Sequence, residues 1–182
     1  ASSILNSSEY QNNLINDLKR ELKENNYDSL CIDFEYVNED EKNLYSSFLR
    51  KVKDELPSYP LFVALAPKNS DEQKGLLYTA HDYYQIGKVA DYVILMTYEW
   101  GFAYGPPLPV APINSVEEVI KYAVSEIPNE KIMMGIPNYG YDWVLPYKEG
   151  TAARTLSLTN SVQIAIQENT DILFDEEAQS PY

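Results

Sequence analysis

The sequence predicts an α/β protein built on a parallel sheet, and three observations carry that prediction. Apolar runs of strand length alternate with segments that repeat their apolar residues at helical spacing, through nearly all 182 residues. The runs LFVALA and DYVILMTY are apolar almost throughout rather than at every second residue, the pattern of strands covered on both faces. Helices that bury one stripe each would supply those two covers. A closed eight-stranded barrel takes about 250 residues. Four strands therefore make either a small open sheet or about half of a barrel.

The elements follow in order. Ser8 and Gln11 have capping-box spacing ahead of Leu14, Ile15, Leu18 and Leu22, predicting a helix. The run SLCIDFEYV predicts the first strand, and Asp40 opens a second helix with Leu44, Phe48, Leu49 and Val52 on one face. LFVALA is the second strand, ended by Pro67. GLLYTAHDYYQIGKVA reads as a loop and short helix, and DYVILMTY as the third strand. GFAYGPPLPVAP is too rich in Gly and Pro for a helix. Ser115 and Glu118 then form a second capping box before Val116, Val119, Ile120, Ala123 and Val124. KIMMGIP is the fourth strand, a last helix is expected around 158–168, and DILFDEEAQSPY begins a further strand or hairpin.

Composition narrows the function classes. Fourteen basic against 28 acidic residues give a formal charge of -14, so phosphate backbones and anionic membrane surfaces repel the molecule while a neutral polysaccharide does not. One cysteine forms no internal disulfide framework and no thiolate cluster. No cluster of His, Cys and acids has metal-ligand spacing, and no cofactor is expected. His81 stands alone and reads as a packing or helix-start residue. The chain begins at Ala1 without a signal-peptide pattern, so any export signal is expected outside it.

The stretch YDSLCIDFEYV, 27–37, sets carboxylates inside a predicted strand. Alternation puts Cys31, Asp33 and Glu35 on one face and Leu30, Ile32, Phe34 and Tyr36 on the other. Asp33 and Glu35 then lie roughly 7 Å apart along the strand, near its C-terminal end, where parallel α/β proteins form active sites. Two carboxyls this close in a partly dry cleft ionise with difficulty, and the one that keeps its proton can act as a general acid. The same pair is equally at home as a structural feature bound by backbone amides or a basic side chain. Its neighbours favour chemistry. MTYEWG ends the third strand with Met96, Tyr98, Glu99 and Trp100, and GIPNYGYDW ends the fourth with Tyr139, Tyr141 and Trp143. Acids beside aromatic platforms are what a glycan site needs, because sugar faces stack on rings and glycosidic oxygens need a proton.

These residues resemble a known family. YDSLCIDFE is similar to the Asp-x-x-Asp-x-Asp-x-Glu signature of the family-18 glycoside hydrolases, the chitinase class. MTYEWG resembles that family's Met-x-Tyr-acid strand, and KIMMGIPNYGYDW its Gly-Ile-Pro-x-Tyr-Gly strand. The stretch from Asp91 to Ile113 looks most like the bacterial branch of spore cortex-lytic glucosaminidases and sporulation-specific glycosylases. The resemblance implies Glu35 as the general acid and Asp33 as the carboxylate that orients the substrate's N-acetyl group. It implies Tyr98 as hydrogen-bond partner of the acetamido carbonyl, Met96, Glu99 and Tyr139 as sugar contacts, and Trp100 and Trp143 as stacking surfaces. In that family the sugar's own acetamido oxygen attacks the anomeric carbon, with net retention.

The resemblance also sets expectations for the whole chain. It implies a partial (β/α)8 barrel, about strands 4–7 with flanking helices, lacking the first strands and the closing strand. Residues 1–182 would be one domain, with 144–182 starting an insertion or extension after the fourth strand. Isolated, such a piece is expected to hydrolyse weakly and to self-associate through exposed sheet edges. The implied substrate is a β-linked N-acetylglucosamine glycan, peptidoglycan or chitin-like, met outside the cell or at the spore and cell wall. Three residues depart from the pattern: Cys31 replaces the signature's middle aspartate, Ser29 its usual glycine, and Tyr141 the arginine that often follows Tyr-Gly. A glycan-binding module without catalysis, and a small open domain whose acidic strand serves only stability, are the competing readings.

Overall fold

In the computed structural model, which describes residues 1–182, the first long helix starts one residue earlier than the Ser8 capping box suggested. Helix α1 spans Ser2–Leu5 and α2 spans Ser8–Glu24. Ser7 is the N-cap of α2, its hydroxyl oxygen accepting the Tyr10 N–H at 3.2 Å. Strand β1 is Leu30–Ile32, and after a 3₁₀ turn at Glu39–Glu41, α3 runs Lys42–Glu55. Then follow β2 Leu61–Leu65, α4 Tyr83–Val89, β3 Tyr92–Leu95, α5 Ile113–Glu126 and β4 Ile132–Met134. The rest is β5 Tyr139–Asp142, β6 Arg154–Ser157, α6 Leu158–Gln167 and a final pair, β7 Phe174–Asp175 and β8 Ser180–Pro181. The second capping box is not used: α5 begins before Ser115, where the Pro112 carbonyl accepts the Val116 N–H. No helix is long and apolar enough to cross a membrane.

The chain divides into two compact units, Ala1–Met96 with Val119–Met134, and Thr97–Glu118 with Gly135–Tyr182. The first holds a parallel four-stranded sheet in the order β1-β2-β3-β4, with β1 and β4 as its edges. This is the α/β fold the sequence predicted, and the sheet does not close on itself. One layer of register runs straight across it as Ile32, Val63, Val93 and Ile132. Val63, Leu65, Val93 and Leu95 are fully buried, as parallel strands under helices must be.

Helix α3 buries Tyr45, Phe48, Leu49 and Val52, whereas Leu44, expected on that face, is exposed. In α5, Val119 and Ala123 are buried and Val124 is not. Gly87 of α4 lies so close to Ile127 that a Cβ there would meet Ile127 Cγ1 at 2.9 Å, which is why α4 carries a glycine at mid-length. Asp91 ties α3 to the start of β2, accepting from Lys53 Nζ at 2.5 Å and the Leu61 N–H at 2.7 Å. The buried carboxylate of Glu41 accepts from Asn38, Asn6 and the Ser2 hydroxyl, so it is not left unsatisfied.

The second unit is built on two antiparallel pairs, β5 with β6 and β7 with β8. Tyr139–Asp142 therefore belongs to a separate hairpin rather than to the end of the fourth strand. Helix α6 carries Ser157 as its N-cap, accepting the Asn160 N–H at 3.2 Å. The tail forms the hairpin expected of it.

Candidate active site

The 27–37 stretch is not one strand. Pairing with β2 stops at Ile32 opposite Val63, and the chain then leaves the sheet, reaching a left-handed φ of 54° at Tyr36 before Val37 returns to the core. Asp33 and Glu35 thus stand just past the C-terminal end of β1, and both are exposed rather than embedded. The physical reason is solvation: carboxylates in a paired strand interior would lose water without a cation in exchange. Phe34, between them, points the other way and stacks on Tyr45 at 5.8 Å and Phe48 at 5.6 Å, fastening the segment to α3. Tyr36, expected on Phe34's face, is exposed.

Glu35's carboxyl is raised above the ordinary carboxylate range, first by partial desolvation and then by the charge of Asp33. Cys31 sits on the same side as Asp33. Exposed as a residue, its thiol is nonetheless raised by desolvation and by Asp33, against a lowering contact from the Ala64 backbone. It stays a neutral thiol where a signature aspartate would add charge. Met96 ends β3's run in the same unit, buried, its N–H donating to Leu65 O at 2.9 Å.

In the second unit Glu99 has a left-handed φ of 69°, uncommon for a residue with a side chain. Its Oε1 accepts from the Tyr139 hydroxyl at 2.6 Å and the Tyr141 hydroxyl at 2.7 Å. Tyr139 and Tyr141 of β5 meet edge to face with centroids 5.8 Å apart, Trp143 just beyond the strand tilts against Tyr141 at 5.6 Å, and Trp143 Nε1 donates to Gly105 O at 3.0 Å. Trp100 is held by its N–H to Val110 O at 3.1 Å, and Gly101 by its N–H to Pro109 O at 2.8 Å. A Cβ on Gly101 would lie 1.9 Å from Leu108 O, so only glycine lets the loop fold back this tightly. Trp100 lines a shallow crevice with Leu108, Pro109 and Ala178. Tyr98 is half-buried beside these groups in sequence.

The model of the family described as glycosyl hydrolases family 18 matches residues 2–182. The chain belongs to family 18. Among curated relatives, the cortical fragment-lytic enzyme of Bacillus subtilis is 41% identical over 98% of this chain and 42% of its own length. The crystal structure of the Bacillus cereus spore cortex-lytic enzyme SleL superposes with a TM-score of 0.95 at 41% identity, over 99% of this chain and 42% of that one. The SleL of Bacillus megaterium gives 0.93 at 44% identity, over 98% and 41%. This family-18 chain thus spans about two-fifths of the length of the relatives it matches.

The sequence of this family-18 chain places Tyr141 among the strand-end aromatics without showing its bond to Glu99, and it offers His81 only as a packing or helix-start residue. Tyr141 shares Glu99 with Tyr139, and the signal was there: positions 139, 141 and 143 alternate onto one strand face. His81 is buried and hydrogen-bonded to the Ala66 amide and the Phe34 carbonyl, and nothing in its neighbours along the chain reveals that. The Glu99 cluster makes a direct prediction. Desolvation and the hydrogen bond to Glu99 raise both phenols, Tyr141 to about 12. Glu99→Gln is expected to bring both ionisations down, because a carboxylate acceptor favours the neutral phenol and an amide does so less. Ultraviolet absorbance titration reads this, and unchanged phenol titration would contradict the clamp.

Proposed function

We propose that this family-18 chain carries the general acid of a retaining glycosidase acting on β-linked N-acetylglucosamine-containing glycan, with spore-cortex or cell-wall peptidoglycan as the polymer. The observation that carries this reading is Glu35, just beyond the C-terminal end of β1, with a carboxyl that holds its proton above the ordinary range beside Asp33. Such a group keeps the proton that a leaving oxygen needs to higher pH than an ordinary carboxyl does. The names of the relatives, cortical fragment-lytic and spore cortex-lytic, support the choice of polymer. Likeness to SleL over most of this chain supports reading the four-stranded sheet as part of the wall of a (β/α)8 barrel, with 144–182 as an insertion or extension after the fourth strand.

In this mechanism the sugar's acetamido oxygen attacks the anomeric carbon as the glycosidic bond breaks, and Glu35 gives its proton to the departing oxygen. Asp33 accepts the acetamido N–H and balances the charge of the oxazolinium ion. Water then attacks the anomeric carbon, loses a proton to the Glu35 carboxylate and reopens the ring, restoring the original configuration. Tyr98 donates to the acetamido oxygen, Met96, Glu99 and Tyr139 bind the sugar, and Trp100 and Trp143 offer stacking faces.

The test is a pair of substrates. The protein carrying these residues is expected to cleave N-acetylated oligosaccharides and to leave their de-N-acetylated counterparts intact, with proton NMR showing the β-anomer as first product. Equal cleavage of both, or an α-anomer, would overturn the substrate-assisted mechanism.

A further inference from the structure

His81 is 1% exposed and makes two hydrogen bonds that join distant parts of the first unit. Its Nδ1 lies 2.7 Å from Ala66 N, at the end of β2, and its Nε2 lies 3.0 Å from the carbonyl oxygen of Phe34. The Ala66 N–H can only donate, so Nδ1 is the acceptor. The proton then sits on Nε2 and is donated to Phe34 O. That tautomer is neutral, and the surroundings favour it: desolvation lowers His81 below its ordinary value, and nearby Lys68 opposes a second positive charge, while the Phe34 carbonyl and Asp33 pull the other way. The ring of Tyr45 tilts against the imidazole at 5.9 Å.

The rest of the network braces the histidine. Lys68 is wholly buried, its Nζ donating to the His81 carbonyl at 3.2 Å and to Asp71 at 3.1 Å. Tyr83 donates to Ala66 O at 2.6 Å and accepts the Lys68 N–H at 3.0 Å. Past Ile32 no strand pairing holds the Asp33–Glu35 segment. The Phe34 ring, stacked on Tyr45 and Phe48 of α3, and the His81 bond to the Phe34 carbonyl both reach it from the core.

We infer that His81 is a positioning residue for the acid pair, fixing through the Phe34 carbonyl how Asp33 and Glu35 stand to one another. The inference rests on the role proposed for Glu35, but its test does not need that role. A peptide unit held at its oxygen resists rotation, and this one joins Phe34 to Glu35, one residue on from Asp33. Loosening it frees Glu35 to move into water and away from Asp33, the two causes that raise its proton affinity.

Three variants separate positioning from plain stability. His81→Asn keeps an acceptor near the place of Nδ1 for the Ala66 amide but has nothing that reaches Phe34. His81→Gln carries its amide nitrogen out to about the place of Nε2. Tyr83→Phe removes two hydrogen bonds of the same network without touching Phe34. Carbon-13 NMR titration of the Glu35 carboxyl in the 182-residue chain is expected to show Asn lowering its midpoint by on the order of half a pH unit, Gln restoring most of it, and Tyr83→Phe leaving it in place while lowering the melting temperature. In the active protein, Asn is expected to cut kcat by about 10²-fold with little change in KM. An unmoved Glu35 midpoint in Asn, or an equal shift in Tyr83→Phe, would overturn the positioning role. Full activity of Glu35→Gln would instead overturn the role of Glu35 while leaving the titration result standing.

Discussion

Glu35→Gln is expected to lower kcat on N-acetylated glycan by about 10²–10⁴-fold, the range that a positioned general acid supplies. The amide keeps the size of the side chain and loses its transferable proton. Because Glu35 is exposed and past the end of β1, the change should leave stability within roughly 0.5 kcal/mol of the parent, as for other surface positions. The pH profile gives a second reading of the same group. In the proposed mechanism the protonated carboxyl is the active form in the first step, so the rate is expected to fall as pH rises through the raised value of Glu35. Asp33→Asn removes the nearby charge, one of the two causes of that raise, and is expected to move the alkaline limb to lower pH as well as weakening turnover. Steady-state kinetics over a pH series measures both. Retention of more than about a tenth of parental kcat by Glu35→Gln would fall outside what a general acid supplies.

The largest expected loss of stability comes from Phe48→Ala. Phe48 is 1% exposed and stacks almost parallel to Phe34, with ring planes 7° apart. Truncation removes apolar contact and leaves a cavity that the sheet and α3 cannot fully close, at a cost of about 3–5 kcal/mol. In a chain of this size that lowers the melting temperature by about 6–20 °C. Phe34 would lose half of its aromatic backing, so turnover should fall as well, even well below the melting point. Calorimetry or thermal circular dichroism checks the first effect. A loss under about 1 kcal/mol would mean that Phe34 and its segment are not anchored on α3.

What the sequence by itself determined was the order and kind of the parallel strands and their main helices, whereas the short helix Ser2–Leu5 and the strand Arg154–Ser157 it did not show. Strand and helix periodicities are local, because burial of one stripe or both faces is written in which residues are apolar. The family was equally legible, since the acid and aromatic motifs are short, ordered and chemically specific. The nature of two stretches was not. The 27–37 run reads as one strand because apolar and acidic residues alternate in it, yet strand pairing stops at Ile32, and each pairing partner, from Leu61 on, is 31 residues away in sequence. GIPNYGYDW reads as a strand end, but its partner Arg154–Ser157 makes it a hairpin.

Only the tertiary structure decided how the candidate groups are held. The clamp on Glu99 by Tyr139 and Tyr141 joins residues 40 and 42 positions apart, and the bond from His81 to Phe34 spans 47. Hydrogen bonds are directional and close only when folding brings donor and acceptor to about 3 Å. A sequence read residue by residue has no access to that distance, which is why the acids were visible in it and their support was not.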